Sequence, residues 1–121
     1  MTTRRETPRV IAVTRVQQGK EDEFETFLRD TMAPAVRQRR PHLTDMWEVL
    51  RPAQDQDTDG TAAYVFLFYG DAPLDDWELG RLFNEAYGAE EATRLGEQFE
   101  QLLDGEQGVH YLSGVLPVQQ K

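Results

Sequence analysis

Residues 62–69 read AAYVFLFY, and this stretch has the strongest β-strand character in the chain. Aromatic and β-branched residues favour strands, and successive side chains of a strand point to opposite sides of the sheet. Large apolar side chains therefore occur on both sides: Tyr64, Phe66 and Phe68 on one, and Val65, Leu67 and Tyr69 on the other. A strand of this kind is predicted to lie in the centre of a sheet that is covered on both faces.

Three further strands are predicted around this one. Residues 9–16 are rich in β-branched residues and are also apolar on both sides. Residues 43–51 form a strand that Pro52 closes, and the acidic residues 53–61 join it to residues 62–69 as a hairpin. Residues 109–118 supply the last strand.

The first helical region follows the turn at Gly19. Apolar residues recur at helical spacing from Phe24 to Val36. Pro34 has no amide hydrogen to donate, which predicts a kink or a restart immediately before it, and Pro41 ends the region.

The second helical region spans residues 74–104. Asp75 and Glu78 have the spacing of a capping box at its start, and Gly88 divides it into two helices. Most of the acidic excess of the chain lies here, which predicts a solvated face; the alternative is a surface for a basic partner protein.

The order β-α-β-β-α-β predicts an α+β, ferredoxin-like fold: a four-stranded antiparallel sheet with the helices on one face. We expect one domain over residues 1–121, with an ordered core of about 9–118. The other sheet face would be apolar and bare, so we predict a homodimer formed by sheet-to-sheet packing. The alternative is that residues 74–104 wrap round and cover that face themselves.

Composition excludes several classes of function. The 121 residues carry a formal net charge of −9, so nucleic acid and anionic membranes are unfavourable partners. The absence of cysteine excludes disulfides, thiolate metal sites and cysteine catalysis. Residues 1–9 are polar and no apolar run reaches membrane-spanning length, so we expect a cytoplasmic protein.

Residues 13–27, VTRVQQGKEDEFETF, resemble the strand, Gly-Lys turn and acidic helix start of the dimeric α+β barrel superfamily, particularly its antibiotic biosynthesis monooxygenase-like domains. The resemblance extends over most of residues 9–116, although residues 71–105 are longer than the usual second crossover. The superfamily includes cofactor-free oxygenases of polyketide aromatics, haem-degrading oxygenases, aromatic cyclases and isomerases. The resemblance therefore implies a fold and an assembly without choosing one reaction.

His110, in the last predicted strand, is the candidate catalytic residue, because histidine is the usual general base near neutral pH. An inward His110 would take a proton from a phenolic substrate and give a carbanion that reacts with dioxygen. The alternative is a strand histidine that is solvated or hydrogen-bonded to a neighbour. His42, in the turn after Pro41, is a weaker candidate.

The candidate substrate-binding residues are aromatic, as suits a pocket for a flat apolar ligand. They are Trp47, Tyr64, Tyr69, Trp77, Phe83 and Tyr87. For most of them the alternative is a place in the hydrophobic core, while Trp77 follows a segment able to act as a lid.

We expect neither a metal nor a cofactor. Residues 55–60, DQDTDG, begin like a calcium loop, but its twelfth position would be Phe66 in place of the bidentate glutamate. The haem-degrading branch supplies a proximal histidine from the second helical region, and residues 71–105 contain no histidine.

Two hypotheses of function remain. The first is a homodimer that binds a small molecule and acts as a cofactor-independent monooxygenase or cyclase on an aromatic or polyketide-like substrate. The second is a non-catalytic binding or protein-interaction module of the same fold.

Overall fold

A computed structural model describes residues 8–53, 62–72, 74–113, 116 and 118. Its four strands are β1 (Val10–Val16), β2 (Trp47–Leu50), β3 (Ala62–Phe68) and β4 (Gly108–Tyr111). They form one antiparallel sheet in the order β2-β3-β1-β4. This is the strand order of the predicted ferredoxin-like fold, and the two strands with apolar residues on both sides, β1 and β3, occupy its centre.

Two strands are shorter than the sequence predicts. β2 begins at Trp47 because Pro41–Leu43 form a 3-10 turn that buries Leu43. β4 ends at Tyr111, although the predicted strand continued to residue 118. Tyr111 pairs with Val10, the first residue of β1, and the Leu112 amide still donates to the Arg9 carbonyl at 2.8 Å. The end of β4 therefore coincides with the beginning of β1, its neighbour in the sheet.

The first helical region is interrupted as its proline predicts. Helix α1 (Glu21–Phe27) continues into a π-helical turn, Leu28–Met32, and then into helix α2 (Ala33–Arg39). Within the turn the Ala33 amide donates to the Leu28 carbonyl five residues back. Pro34, the next residue, has no amide hydrogen to give to the carbonyl of Asp30, so the wider turn forms where regular bonding already fails.

The second helical region is divided at Gly88, as predicted, into α3 (Leu79–Tyr87) and α4 (Ala89–Leu102). Gly88 has a φ of +96°, a backbone conformation that other residues rarely adopt. The predicted capping box from Asp75 is wrong, because Leu74–Trp77 form a 3-10 turn. Glu78 is instead the N-cap of α3, and its carboxylate accepts hydrogen bonds from the Gly80 and Arg81 amides.

Both helical regions pack on the same face of the sheet, the face that carries Tyr64 and Phe66. The ring of Phe24 in α1 lies 4.8 Å from that of Tyr64 and 6.1 Å from that of Phe99 in α4. Leu82 and Phe83 of α3 are buried in the same core cluster. The second helical region therefore does not wrap round to the opposite face.

The opposite face, which we call the outer face, carries apolar side chains across its two central strands. Ile11 is paired with Leu67 and Val13 with Val65, and all four are only partly buried in the single chain. At the β2 edge Leu50, paired with Val65, is 48% exposed. Over the residues that the structure describes, no helix combines the length and apolar character needed to span a bilayer.

Candidate ligand-binding site

A cavity of about 580 Å³ lies between the first helical region and the edge strand β2. We call it the β2 cavity. It falls in the volume range of small-molecule sites, roughly 300 to 1,000 Å³. Its walls come from both helices of this region, from the turn before β2, and from β2 and β3: Glu25, Leu28, Arg29, Ala33, Val36, Arg37, Thr44, Trp47, Glu48, Val49, Arg51 and Tyr64.

The aromatic and apolar part of the wall follows from strand alternation. Trp47 and Val49 are paired with Phe68 and Phe66, so they share the helix-facing side of the sheet. Leu28 and Val36 lie across from them on the first helical region. The cavity therefore offers a flat indole and aliphatic groups to a ligand, as expected of an apolar binding site.

One wall holds a hydrogen-bonded group of Glu25, Arg51 and Tyr64. The Tyr64 hydroxyl donates to Glu25 Oε2 at 2.6 Å. The Arg51 guanidinium donates two hydrogen bonds to the same carboxylate, from Nε to Oε2 at 2.9 Å and from Nη2 to Oε1 at 2.6 Å. Bidentate arginine–carboxylate pairs of this kind combine charge with fixed geometry.

This arrangement keeps Glu25 ionised and Tyr64 protonated. The hydrogen bond from Arg51, followed by that from Tyr64, lowers the pKa of Glu25 below its usual value. Burial, reinforced by the bond to Glu25, raises the pKa of Tyr64 above the usual range for a phenol. The pair is therefore a fixed anion and a fixed donor at neutral pH, and neither group is tuned to exchange protons there.

A second, smaller cavity of about 160 Å³ lies between the sheet and the second helical region. It is mostly apolar, and the Trp77 ring stands beside Phe68 with centroids 4.6 Å apart. Its lining residues are Val10, Ala12, Met32, Phe66, Phe68, Trp77, Leu79, Phe99, Gln107 and Val109. The one strongly polar member, Gln107, donates its amide to the buried Thr14 hydroxyl at 2.6 Å.

The six predicted aromatic residues do not form one pocket. Trp47 and Tyr64 meet in the β2 cavity, whereas Trp77 lines the smaller one. The other three line neither of these cavities. Phe83 is 1% exposed in the core, Tyr69 is buried with its hydroxyl donating to Glu48, and the Tyr87 hydroxyl donates to the Thr31 carbonyl of the π-helical turn.

His110 lies on the outer face. It is paired with Ile11, so its side chain is on the side of the sheet away from the helices, and it is exposed. The inward orientation expected for a base is not found, and the catalytic role of His110 stays a prediction. His42 is also exposed, with Nε2 3.4 Å from the Asp76 carboxylate.

The calcium-like segment, residues 55–60, lies outside the described residues. Elsewhere in the chain, the described histidine and acidic side chains form no cluster of three that could hold a metal ion.

Sequence reasoning missed the charged residues of the β2 cavity. Arg51 has the same strand parity as Trp47 and Val49, and this was a usable signal for its position. Glu25 is adjacent to the buried Phe24 on α1, but nothing local indicates that it meets residues 26 and 39 positions further along.

A second charged contact connects the two helical regions. The Arg40 guanidinium, at the end of α2, donates to both carboxylate oxygens of Glu85 in α3, at 2.6 and 3.2 Å. It also donates to the backbone carbonyls of Arg39 and Asp76. Arg40 therefore joins the first helical region to the second.

Comparison with known proteins gives one likeness to report. A comparison with protein-family models finds no match, and neither does a comparison with curated proteins. Among solved structures, the chain is similar to a Caulobacter crescentus protein provisionally named an antibiotic biosynthesis monooxygenase. The two share 18% sequence identity with a TM-score of 0.46, over 90% of this chain and 92% of the other. The fold assignment rests on the strand order of this chain.

Proposed function

We propose that the protein binds a small, flat aromatic molecule in the β2 cavity. The observation that carries this proposal is the composition of the wall, which combines the half-buried Trp47 indole and aliphatic groups with a fixed anion and donor, Glu25 and Tyr64. Sites for small aromatic ligands combine a mostly apolar surface with a few convergent polar groups in this way.

The reaction that we propose for such a ligand is the one implied by the resemblance of residues 13–27, cofactor-independent monooxygenation or cyclisation of an aromatic or polyketide-like substrate. The non-catalytic alternative has its own support. Glu25 already accepts three hydrogen bonds and has a lowered pKa, and His110 lies on the other face of the sheet. These features favour recognition of a ligand over proton transfer to or from it.

We also propose that a second copy of the chain covers the outer face. Its partner would be the same apolar surface, around Val13, Val65 and Leu67, packed about a two-fold axis. Val65→Lys should convert the dimer to a monomer in size-exclusion chromatography with light scattering, whereas Gln38→Lys on the exposed side of α2 should not. A wild-type protein that is monomeric at high concentration would refute this part.

The two tryptophans provide a direct test of the binding site, because they line different cavities and are the only two in the chain. Their indole N–H groups give separate signals in a proton–nitrogen correlation spectrum, which Trp47→Phe and Trp77→Phe assign. Addition of 2-naphthol should shift the Trp47 signal and leave the Trp77 signal in place. A shift confined to Trp77, or no shift of either, would refute binding in the β2 cavity.

Catalysis has a separate readout. Oxygen uptake is measured with naphthols that shift the Trp47 signal, in the wild type and in His110→Ala. Uptake that falls in the variant supports His110 as a base. Uptake that is unchanged removes His110 from the mechanism, and the absence of uptake with every bound naphthol favours the non-catalytic function.

A further inference from the structure

The β2 cavity has a charge that differs from that of the protein. The chain carries a formal net charge of −9, yet three guanidinium groups and two carboxylates line this cavity. The arginines are Arg29 and Arg37 on the first helical region and Arg51 after β2. A local excess of positive charge in an acidic protein favours an anionic ligand.

The three arginines are engaged to different degrees. Arg51 is held by both oxygens of Glu25, so these two charges largely cancel. Arg29 contacts the neighbouring Asp30 carboxylate at 3.2 Å and the Thr26 hydroxyl at 3.4 Å, both on its own helical region and exposed. Arg37 forms no ion pair or side-chain hydrogen bond within the described part of the chain.

Neither acidic side chain of the cavity forms an ion pair with Arg37. Glu25 is occupied by Arg51 and Tyr64, and the Glu48 carboxylate accepts from the Tyr69 hydroxyl at 2.7 Å. The Arg37 guanidinium therefore lines a cavity in which both carboxylates are already hydrogen-bonded to other side chains. A guanidinium recognises a carboxylate by two parallel hydrogen bonds.

We infer that the ligand of the β2 cavity is an aromatic acid. Its ring lies against Trp47 and Val49, and its carboxylate is bound by Arg37, with Arg29 as the second cation. This inference rests on the proposed function and adds the chemical class of the ligand and the residue that selects it. Arg37 is a binding residue, and the Glu25–Arg51–Tyr64 group forms another polar part of the wall.

The test compares two probes of the same shape. 2-Naphthoate carries the carboxylate, and 2-naphthamide replaces it with a neutral amide of nearly equal size. Titration calorimetry at low salt should show 2-naphthoate binding about tenfold more tightly, as one charge-assisted contact provides. Added sodium chloride should reduce this preference, because it screens the exposed guanidinium.

Variants identify the arginine responsible for the preference for 2-naphthoate over 2-naphthamide. Arg37→Gln should reduce the dissociation-constant ratio of the two probes to within about twofold, while Arg39→Gln, the same change two residues along the helix and outside the cavity wall, should leave it unchanged. Circular dichroism verifies that each variant is folded. If Arg37→Gln does not fold, Arg29→Gln replaces it and should reduce the ratio by a smaller factor.

The possible failures are distinguishable. If both probes shift the Trp47 signal and bind equally, the aromatic-acid inference is overturned while the proposed binding site stands. If Arg39→Gln removes the preference as fully as Arg37→Gln, the selection by Arg37 is overturned, and the attraction belongs to the basic end of α2 as a whole. If neither probe binds, the proposed function fails and the inference fails with it.

Discussion

Tyr64→Phe tests the hydrogen-bonded group that forms one wall of the β2 cavity. The substitution removes only the hydroxyl that donates to Glu25 at 2.6 Å, in a residue that is 2% exposed. A hydrogen bond to a charged group contributes about 1.5 to 3 kcal/mol. Glu25 keeps both bonds from Arg51 and its side chain is 25% exposed, so water partly replaces the lost donor. We therefore expect the free energy of unfolding to fall by about 1 to 2 kcal/mol at pH 7.

The effect should depend on pH in a defined direction. The folded-state pKa of Glu25 is lowered, so the stabilisation that its carboxylate provides is present at neutral pH and is lost as pH falls through that lowered value. Tyr64→Phe removes one of the three hydrogen bonds to Glu25, and the pKa of Glu25 should rise towards its usual value. The stability difference between wild type and variant should consequently be largest at pH 6 to 7 and become smaller in acid, from about pH 4.5 downward.

Urea unfolding followed by tryptophan fluorescence measures this difference. With a typical slope for a chain of this size, the midpoint at pH 7 should fall by about 1 M urea. Tyr111→Phe makes the same chemical change at a side chain that is 68% exposed and should alter the free energy of unfolding by less than about 0.5 kcal/mol. A Tyr64→Phe effect of equal size at pH 7 and at a pH where Glu25 is protonated in both proteins would refute the argument, because the ionised carboxylate would then not be its source.

For three further substitutions, the backbone conformation or the contacts between helices determine whether the free energy of unfolding rises or falls. Gly88→Ala should lower the free energy of unfolding by about 1 to 3 kcal/mol, because alanine is strained at a φ of +96° even though the space around it is open. Gly96→Ala should raise it by about 0.5 to 1 kcal/mol, because this glycine lies inside α4 with open space at its Cβ position; a urea titration that gives both changes the same sign would contradict this pair. Arg40→Met should lower it by roughly 2 kcal/mol, since the Glu85 carboxylate and two backbone carbonyls lose their donor. In thermal unfolding, the same substitution at the exposed Arg39 should have a much smaller effect.

The fold was predictable because short local sequence patterns indicate its strands and its helix interruptions. AAYVFLFY places apolar groups on both sides of β3, and this predicted a central strand, while the order β-α-β-β-α-β predicted helices on one face of the sheet. Pro34 and Gly88 marked the two interruptions of the helices where the structure has them. The end of β4 was not predictable in the same way, since it depends on where β1 begins and not on the residues of β4.

The candidate site was only partly predictable. Trp47 and Tyr64 were selected as aromatic residues, and strand register brings them together. Tyr69 and Trp77 were selected on the same ground and lie elsewhere, because parity and the 3-10 turn decide which way an aromatic side chain points. His110 shows the same limit, since a four-residue edge strand gives no indication from sequence of which residue faces the helices.

The π-helical turn has an evolutionary consequence for the two arginines. In a regular helix, eight residues would place Arg29 and Arg37 about 80° apart around the axis. The π-helical turn accommodates one extra residue. The side chains of Arg29 and Arg37 therefore point in directions that differ by about 20°, as they would if seven residues separated them in a regular helix. A homologue that lacks one of residues 30–32 would keep both arginines on the same side of its helix. An alignment of such sequences should therefore place its gap between Arg29 and Ala33, and the two arginines should be compared across that gap.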